Sequence, residues 1–321
     1  MRAMQLTTYD TPLALCEIDM PRPKAGEIVI EVAACGLNFG DTLLIKGSYQ
    51  EKPDLPVTLG MEMAGTVQAV GAGVSGFDVG MRVAAYNGSG GLAEYAAVPA
   101  SFCVPIPDMM PFEDAAAFLI TYGTSHLALH DKARLQKGER LLVLGASGGV
   151  GLTAVELGHL MGAEVIACAR GAAKLEICRQ MGADHLIDSD TQDIRDTVKA
   201  LGGADVLYDP IGGAQFKAGM RACNAGARLL PLGFASGEVP QVPANILLVK
   251  NMSVLGLYIG GYAKLNPKAL TDSFTTLLEW YEGGKIKPHV SNVLPLEAVN
   301  DGLDLLRRRE ATGKVVIDLR G

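Results

Sequence analysis

The chain has 321 residues, a formal net charge of -7, 49% apolar and 20% charged residues, the profile of a globular protein long enough for two domains. That acidic balance, with no basic block longer than Arg307-Arg308-Arg309, speaks against a nucleic-acid surface. No apolar run approaches the ~20 residues that cross a bilayer, the first residues lack a signal-peptide core, and six cysteines without a C-x-x-C pair predict reduced thiols and a cytoplasmic protein.

Residues 1 to 120 carry short apolar runs broken by Gly and Pro: EIVIEVAACGL (27–37), EMAGTVQAV (62–70), MRVAAY (81–86) and AEYAAVPA (93–100). Their spacing, with Gly71, Gly73 and Gly76 as turn residues, predicts a mostly antiparallel β region. This part is the acidic one, with six Lys/Arg against fourteen Asp/Glu. A helix should begin in MPFEDAAAFLI (110–120), with Pro111 at its first turn and Glu113 and Asp114 near the positive end of its dipole.

From residue 139 the pattern becomes strand–helix alternation. ERLLVLG leads into a helix from Gly149, EVIACAR into a helix from Lys174, and DHLID, ADVLYDP, GARLLPLG and SVLGLYI follow. Short continuous apolar strands between helices predict a doubly wound parallel sheet. The last sixty residues add helices near 269–282 and 296–309 and a strand at 314–319.

The strongest motif is LLVLGASGGVGL (141–152), a strand that runs through a glycine-dense turn into a helix. Backbone N–H groups at a helix N-terminus form a pyrophosphate cradle, and glycines let the backbone approach the ligand. Gly145, Ser147, Gly148, Gly149, Val150 and Gly151 are the candidate contacts. The spacing, G-x-x-G-G-x-G, is one residue longer than the common dinucleotide fingerprint. The second strand ends in Arg170, followed by Lys174, where an NAD site would carry an acid. Two cations suit a 2′-phosphate, unless both are only solvated helix-start residues, so NADPH is expected over NADH.

Together, CGLNFGD (35–41), LGMEMAG (59–65), EDAAAF with GTS (113–125), GASGGVGL, LYDPIGG (207–213) and TGKVVIDL (312–319) resemble the medium-chain dehydrogenase/reductase superfamily over nearly the whole length. The longer glycine loop, N-x-x-D at 38–41 and GSYQEKP at 47–53 are similar to its zinc-free quinone oxidoreductase branch. The resemblance implies an α/β protein: a GroES-like β domain (1–121), a Rossmann NADPH-binding domain (122–262) and a C-terminal return (263–321) to the first. In the zinc branch, the catalytic ligands would fall on Asn38, Met61 and near Ile120, and none of these is a zinc ligand. No metal is therefore expected. Without zinc, hydride delivery to a quinone or another α,β-unsaturated carbonyl needs only donors for the developing oxyanion.

The resemblance also implies roles. Asn38 would lie nearest the nicotinamide, either donating to a substrate carbonyl or placing the ribose, unless it only satisfies its own turn. Tyr49 would donate the proton, or merely shield the site, and Thr124 would present its hydroxyl to the nicotinamide side or serve only its helix. Tyr208 and Gly212 would bound the adenosine, Gly233 and Phe234 would meet the carboxamide, and Lys314 would reach the cofactor from the C-terminus. His126 and His130, spaced i, i+4 without a carboxylate-rich third element, read as structural. Two alternatives stand beside quinone reduction: an enoyl thioester reductase, whose anionic substrate the acidic domain disfavours, and a non-enzymatic NADPH-binding protein. The apolar segment 253–259 should form a sheet edge that pairs two subunits.

Overall fold

The computed structural model describes all 321 residues. The chain divides into two compact units, Met1–Ile120 with Lys287–Gly321, and Thr121–Ile286.

In the first unit, strand Glu27–Leu37 is the spine. It pairs antiparallel with Glu62–Val70, Tyr95–Pro99 and Lys314–Asp318, the last of which pairs parallel with Val290–Pro295. Arg82–Tyr86 and Cys103–Pro105 extend this seven-stranded sheet, and a separate three-stranded sheet joins Ala14–Glu17, Arg2–Leu6 and Val57–Thr58. Strand Glu27–Leu37 is buried apart from its first residue and Glu31, as its apolar run, broken only at Glu31, requires. Ile28, Ile30, Leu37, Met63, Val67 and Ile317 form the centre of the core.

The second unit is a six-stranded parallel sheet. Its order is His185–Asp188, Glu164–Ala169, Arg140–Leu144, Ala204–Asp209, Cys223–Pro231 and Ser253–Val254. The order reverses between the third and fourth of these strands, and in open α/β sheets such a switch point, at the carboxyl ends of the strands, is where ligands bind. The expected edge strand 253–259 is shorter than its apolar run: only Ser253–Val254 pairs, at the sheet's edge, and the chain turns into helix Ile259–Leu265.

The C-terminal return begins at Lys287 in this division rather than at residue 263. Helix Pro267–Glu282 stays with the second unit because its side chains engage helix Leu119–His126: the Ser273 hydroxyl meets His126 Nδ1 at 2.8 Å, and Trp280 sits edge-on to the His126 ring at 5.4 Å. His126 also stacks on the exposed His130 ring at 5.0 Å. Burial, and then the neighbouring His130, push the His126 imidazole down to about 4. A depressed imidazole resists protonation in the fold, so its contribution is intact above the unfolded value near 6.5 and is lost as pH falls towards the folded value. Raised carboxyls such as Asp41 and Asp209, each pushed up to about 6 by burial, act with opposite sign over the same range. Comparing His126→Asn with the parent isolates the histidine. Its stability relative to the parent should rise by about 3 kcal/mol between pH 7 and pH 4, measured by urea unfolding, and a pH-independent difference would refute the assignment.

Candidate functional site

The phosphate loop is built from backbone constraints. Buried strand Arg140–Leu144 ends at Gly145, whose φ of 57° lies in the left-handed region. Gly148 caps helix Gly149–Leu160 and donates its N–H to Gly145 O at 3.0 Å. A Cβ on Gly151 would stand 2.2 Å from that same carbonyl oxygen, so only glycine lets the helix start this close to the loop. The Ala146 N–H donates to Cys168 O at 3.0 Å, which ties the loop to the neighbouring strand Glu164–Ala169. Arg170, just past that strand, is exposed, and Lys174 lies half-buried in the first turn of the next helix, Ala172–Gln180. Ser147 and Thr124 are buried, while Gly149 and Val150 are half-buried at the helix start.

Beneath the loop lies a cluster that the sequence did not announce. Ser125 Oγ is 2.8 Å from Tyr208 Oη, 2.7 Å from Thr153 Oγ1 and 3.0 Å from Val150 O, and Thr153 Oγ1 donates to Thr121 O at 3.1 Å. Three hydroxyls thus tie helix Leu119–His126, the first turn of helix Gly149–Leu160 and strand Ala204–Asp209. Tyr208, expected at the adenosine, has its side chain in this cluster. It is fully buried with its hydroxyl on Ser125, so its side chain works from inside the unit. Its neighbour Asp209 accepts the N–H groups of Ile211 and Gly212 at 2.8 and 3.0 Å, closing the turn after the strand. The Gly233–Phe234 loop joins it there: Ala235 N–H donates to Pro210 O at 3.2 Å, and Phe234 is 38% exposed.

In the first unit, a separate polar cluster surrounds Asn38 at the head of helix Phe39–Ile45. Asn38 Nδ2 donates to Gly36 O and to Glu62 Oε1, both at 3.1 Å, and its Oδ1 accepts from Lys314 Nζ at 2.8 Å. The partners leave no choice of amide orientation, since an ammonium only donates and a carboxylate or carbonyl only accepts. Both amide hydrogens are therefore spent. Asn38, expected as a possible donor to a substrate carbonyl, has only acceptor capacity left.

Lys314 is likewise engaged within the unit. Its ammonium, expected on the cofactor, gives its three N–H bonds to Leu37 O at 2.8 Å, Asn38 Oδ1 at 2.8 Å and Glu62 Oε1 at 2.6 Å. Both Lys314 and Glu62 are buried, at 4% and 1% exposure, and Glu62 Oε2 also accepts the Ile120 N–H at 3.0 Å. Asp41 Oδ2 accepts the Asn38 N–H at 2.8 Å while its buried Oδ1 has no hydrogen-bond partner. Burial, only partly offset by that N–H, is what raises the Asp41 carboxyl to about 6.

The zinc-ligand positions do not fit a metal. Met61 is buried, and its Sδ and Cε lie 2.9 Å from where a Cβ on Gly40 would stand, with the Tyr49 ring at 3.3 Å. Gly40 thus lets Met61 and Tyr49 converge beside Asn38. Ile120 offers only its backbone, and a lone Cys35 cannot make a tetrahedral site. No group of three or more His, Cys, Asp or Glu side chains gathers anywhere in the chain with the geometry to hold a metal ion.

Two family descriptions match this chain: an alcohol dehydrogenase GroES-like domain over residues 24–108 and a zinc-binding dehydrogenase over residues 149–282. The quinone oxidoreductase-like protein 2 homolog of Nematostella vectensis is 41% identical over 300 residues, covering 92% of this chain and 82% of its own. The human synaptic vesicle membrane protein VAT-1 homolog is 35% identical, covering 92% and 80%. Among solved structures, Escherichia coli quinone oxidoreductase complexed with NADPH superposes with a TM-score of 0.94 at 26% identity, over 99% of this chain and 100% of that one. The chain belongs to the medium-chain dehydrogenase/reductase superfamily, and within it to the zinc-free quinone oxidoreductase branch. It is an oxidoreductase of that superfamily, whose members use nicotinamide cofactors. No helix in it is long and apolar enough to cross a membrane.

Proposed function

We propose that this chain is an NADPH-dependent reductase that transfers hydride to a quinone or another α,β-unsaturated carbonyl. One observation carries the reading: a glycine loop tied to a strand that Arg170 directly follows, combined with zinc-ligand positions filled by Asn38, Met61 and Ile120. When bound, the nicotinamide supplies the hydride. Every other part falls to the chain. The first-turn N–H groups at Gly149 and Val150 take the pyrophosphate, with Gly145, Ser147 and Gly148 shaping the approach. Arg170 and Lys174 take the 2′-phosphate. Gly233 and Phe234 border the carboxamide. Tyr49 is the hydrogen-bond and proton donor to the reduced carbonyl, Asn38 accepts from a ribose hydroxyl, and Thr124 offers a further hydroxyl.

The same reading makes the protein a homodimer paired through the edge strand Ser253–Val254, where unpaired backbone groups invite a second copy. Six unpaired thiols fit a cytoplasmic setting.

The test follows NADPH absorbance with a quinone, an enal and an enoyl-CoA in turn. Turnover of the quinone or enal supports the proposal, turnover of the enoyl-CoA alone moves it to thioester reduction, and cofactor binding with no turnover reduces it to an NADPH-binding protein. Cofactor choice is checked separately. Arg170→Ala with Lys174→Ala should raise the Kd for NADPH by about 100-fold, two charge-assisted contacts' worth, and leave NADH unchanged. Equal losses for both cofactors would refute the 2′-phosphate assignment.

A further inference from the structure

The buried Lys314–Glu62 pair has a geometry that a purely structural ion pair does not need. Two charges could satisfy each other inside the first unit without touching anything else. Here both also grip one half-exposed amide: Lys314 Nζ holds Asn38 Oδ1 at 2.8 Å and Glu62 Oε1 holds Asn38 Nδ2 at 3.1 Å. Glu62 is itself anchored, since Oε2 accepts the Ile120 N–H at 3.0 Å, and Lys314 is anchored by Leu37 O at 2.8 Å. The clamp is assembled from strand Lys314–Asp318, strand Glu62–Val70 and the start of helix Phe39–Ile45. Asn38 cannot turn over without setting its nitrogen against an ammonium and its oxygen against a carboxylate.

We propose that Lys314 and Glu62 are positioning residues for the reaction, acting through Asn38 by holding its amide oxygen as the only group left to meet a ligand. This inference rests on the reductase reading for its kinetic consequence, but the clamp itself can be tested without turnover. Lys314→Met alone would strand a buried carboxylate, so the informative variant is Lys314→Met with Glu62→Gln, which removes both charges together.

The experiment is a coupling cycle between that pair and Asn38→Ala, reading kcat for a quinone, KM, the Kd for NADPH by fluorescence titration and the melting temperature. Misplacing a positioned group by about an ångström costs on the order of 100-fold, so the pair variant and Asn38→Ala should each lose about that much in kcat. The triple variant should lose no more than Asn38→Ala alone, because a residue that acts through another has nothing further to remove. A kcat unchanged in the pair variant overturns the proposal, as does a triple variant whose loss is the product of the two. A second readout does not depend on activity. With isotopic asparagine labelling, the Asn38 side-chain amide hydrogens should exchange slowly in the parent and rapidly in the pair variant. Fast exchange in the parent would remove the clamp whatever the enzyme reduces, whereas slow exchange in a parent that reduces no quinone or enal would leave the clamp standing and remove the reductase reading.

Discussion

Gly151→Ala should abolish dinucleotide binding. The added methyl would stand 2.2 Å from Gly145 O and 2.9 Å from Ala146 Cα, and both are backbone atoms that no rotamer change can move. Relief requires helix Gly149–Leu160 to withdraw from the loop by about an ångström, since carbon–oxygen contact needs more than 3 Å. The helix N-terminus is the proposed pyrophosphate site, so that withdrawal would remove the ligand's N–H partners directly. We expect the Kd for NADPH to rise by at least about 100-fold, close to 3 kcal/mol, while overpacking costs the fold about 1–3 kcal/mol. Fluorescence titration beside a thermal melt separates the two. A variant that stays folded and binds NADPH like the parent would mean the glycine serves chain entropy alone.

The second large effect concerns stability. Lys314→Met leaves the Glu62 side chain 1% exposed and without its cation. Breaking a buried pair from one side costs about 3–5 kcal/mol, whereas replacing both partners by neutral groups is often close to neutral. Urea unfolding should therefore show a large loss in Lys314→Met that is mostly recovered in Lys314→Met with Glu62→Gln. Lys314 also helps hold down the Asp41 carboxyl, so the single variant should raise that group further. If the single variant proves as stable as the parent, the pair is not a buried clamp.

Much of the candidate site was legible because it rests on backbone demands. A positive φ at Gly145 and a close approach at Gly151 admit one residue type, so the sequence carries their signature openly. The apolar strands between helices likewise foretold the parallel sheet, because burial on both faces forbids alternation. The empty zinc positions were legible for a chemical reason: Asn38, Met61 and Ile120 cannot supply a thiolate or an imidazole.

Side-chain destinations were not legible. Tyr208 precedes a conspicuous turn and read as a ligand contact, yet strand pleating sends it inward to Ser125. Lys314 read as a cofactor contact, yet it closes a network with Glu62, 252 positions away in sequence. A lysine in water and a lysine buried on a carboxylate are written with the same letter. The return to the first unit was displaced to Lys287 for a similar reason, since the link from Ser273 to His126 spans 147 positions.

The sequence by itself determined the doubly wound sheet, the dinucleotide loop and the absence of zinc ligands, because steric and coordination chemistry act on residue identity at single positions or short spacings. Only the tertiary structure decided that Asn38 is an acceptor, that Lys314 and Glu62 clamp it, and that three hydroxyls brace the loop from below. Those outcomes depend on which donors and acceptors long-range packing brings within 3 Å, and no local pattern encodes that.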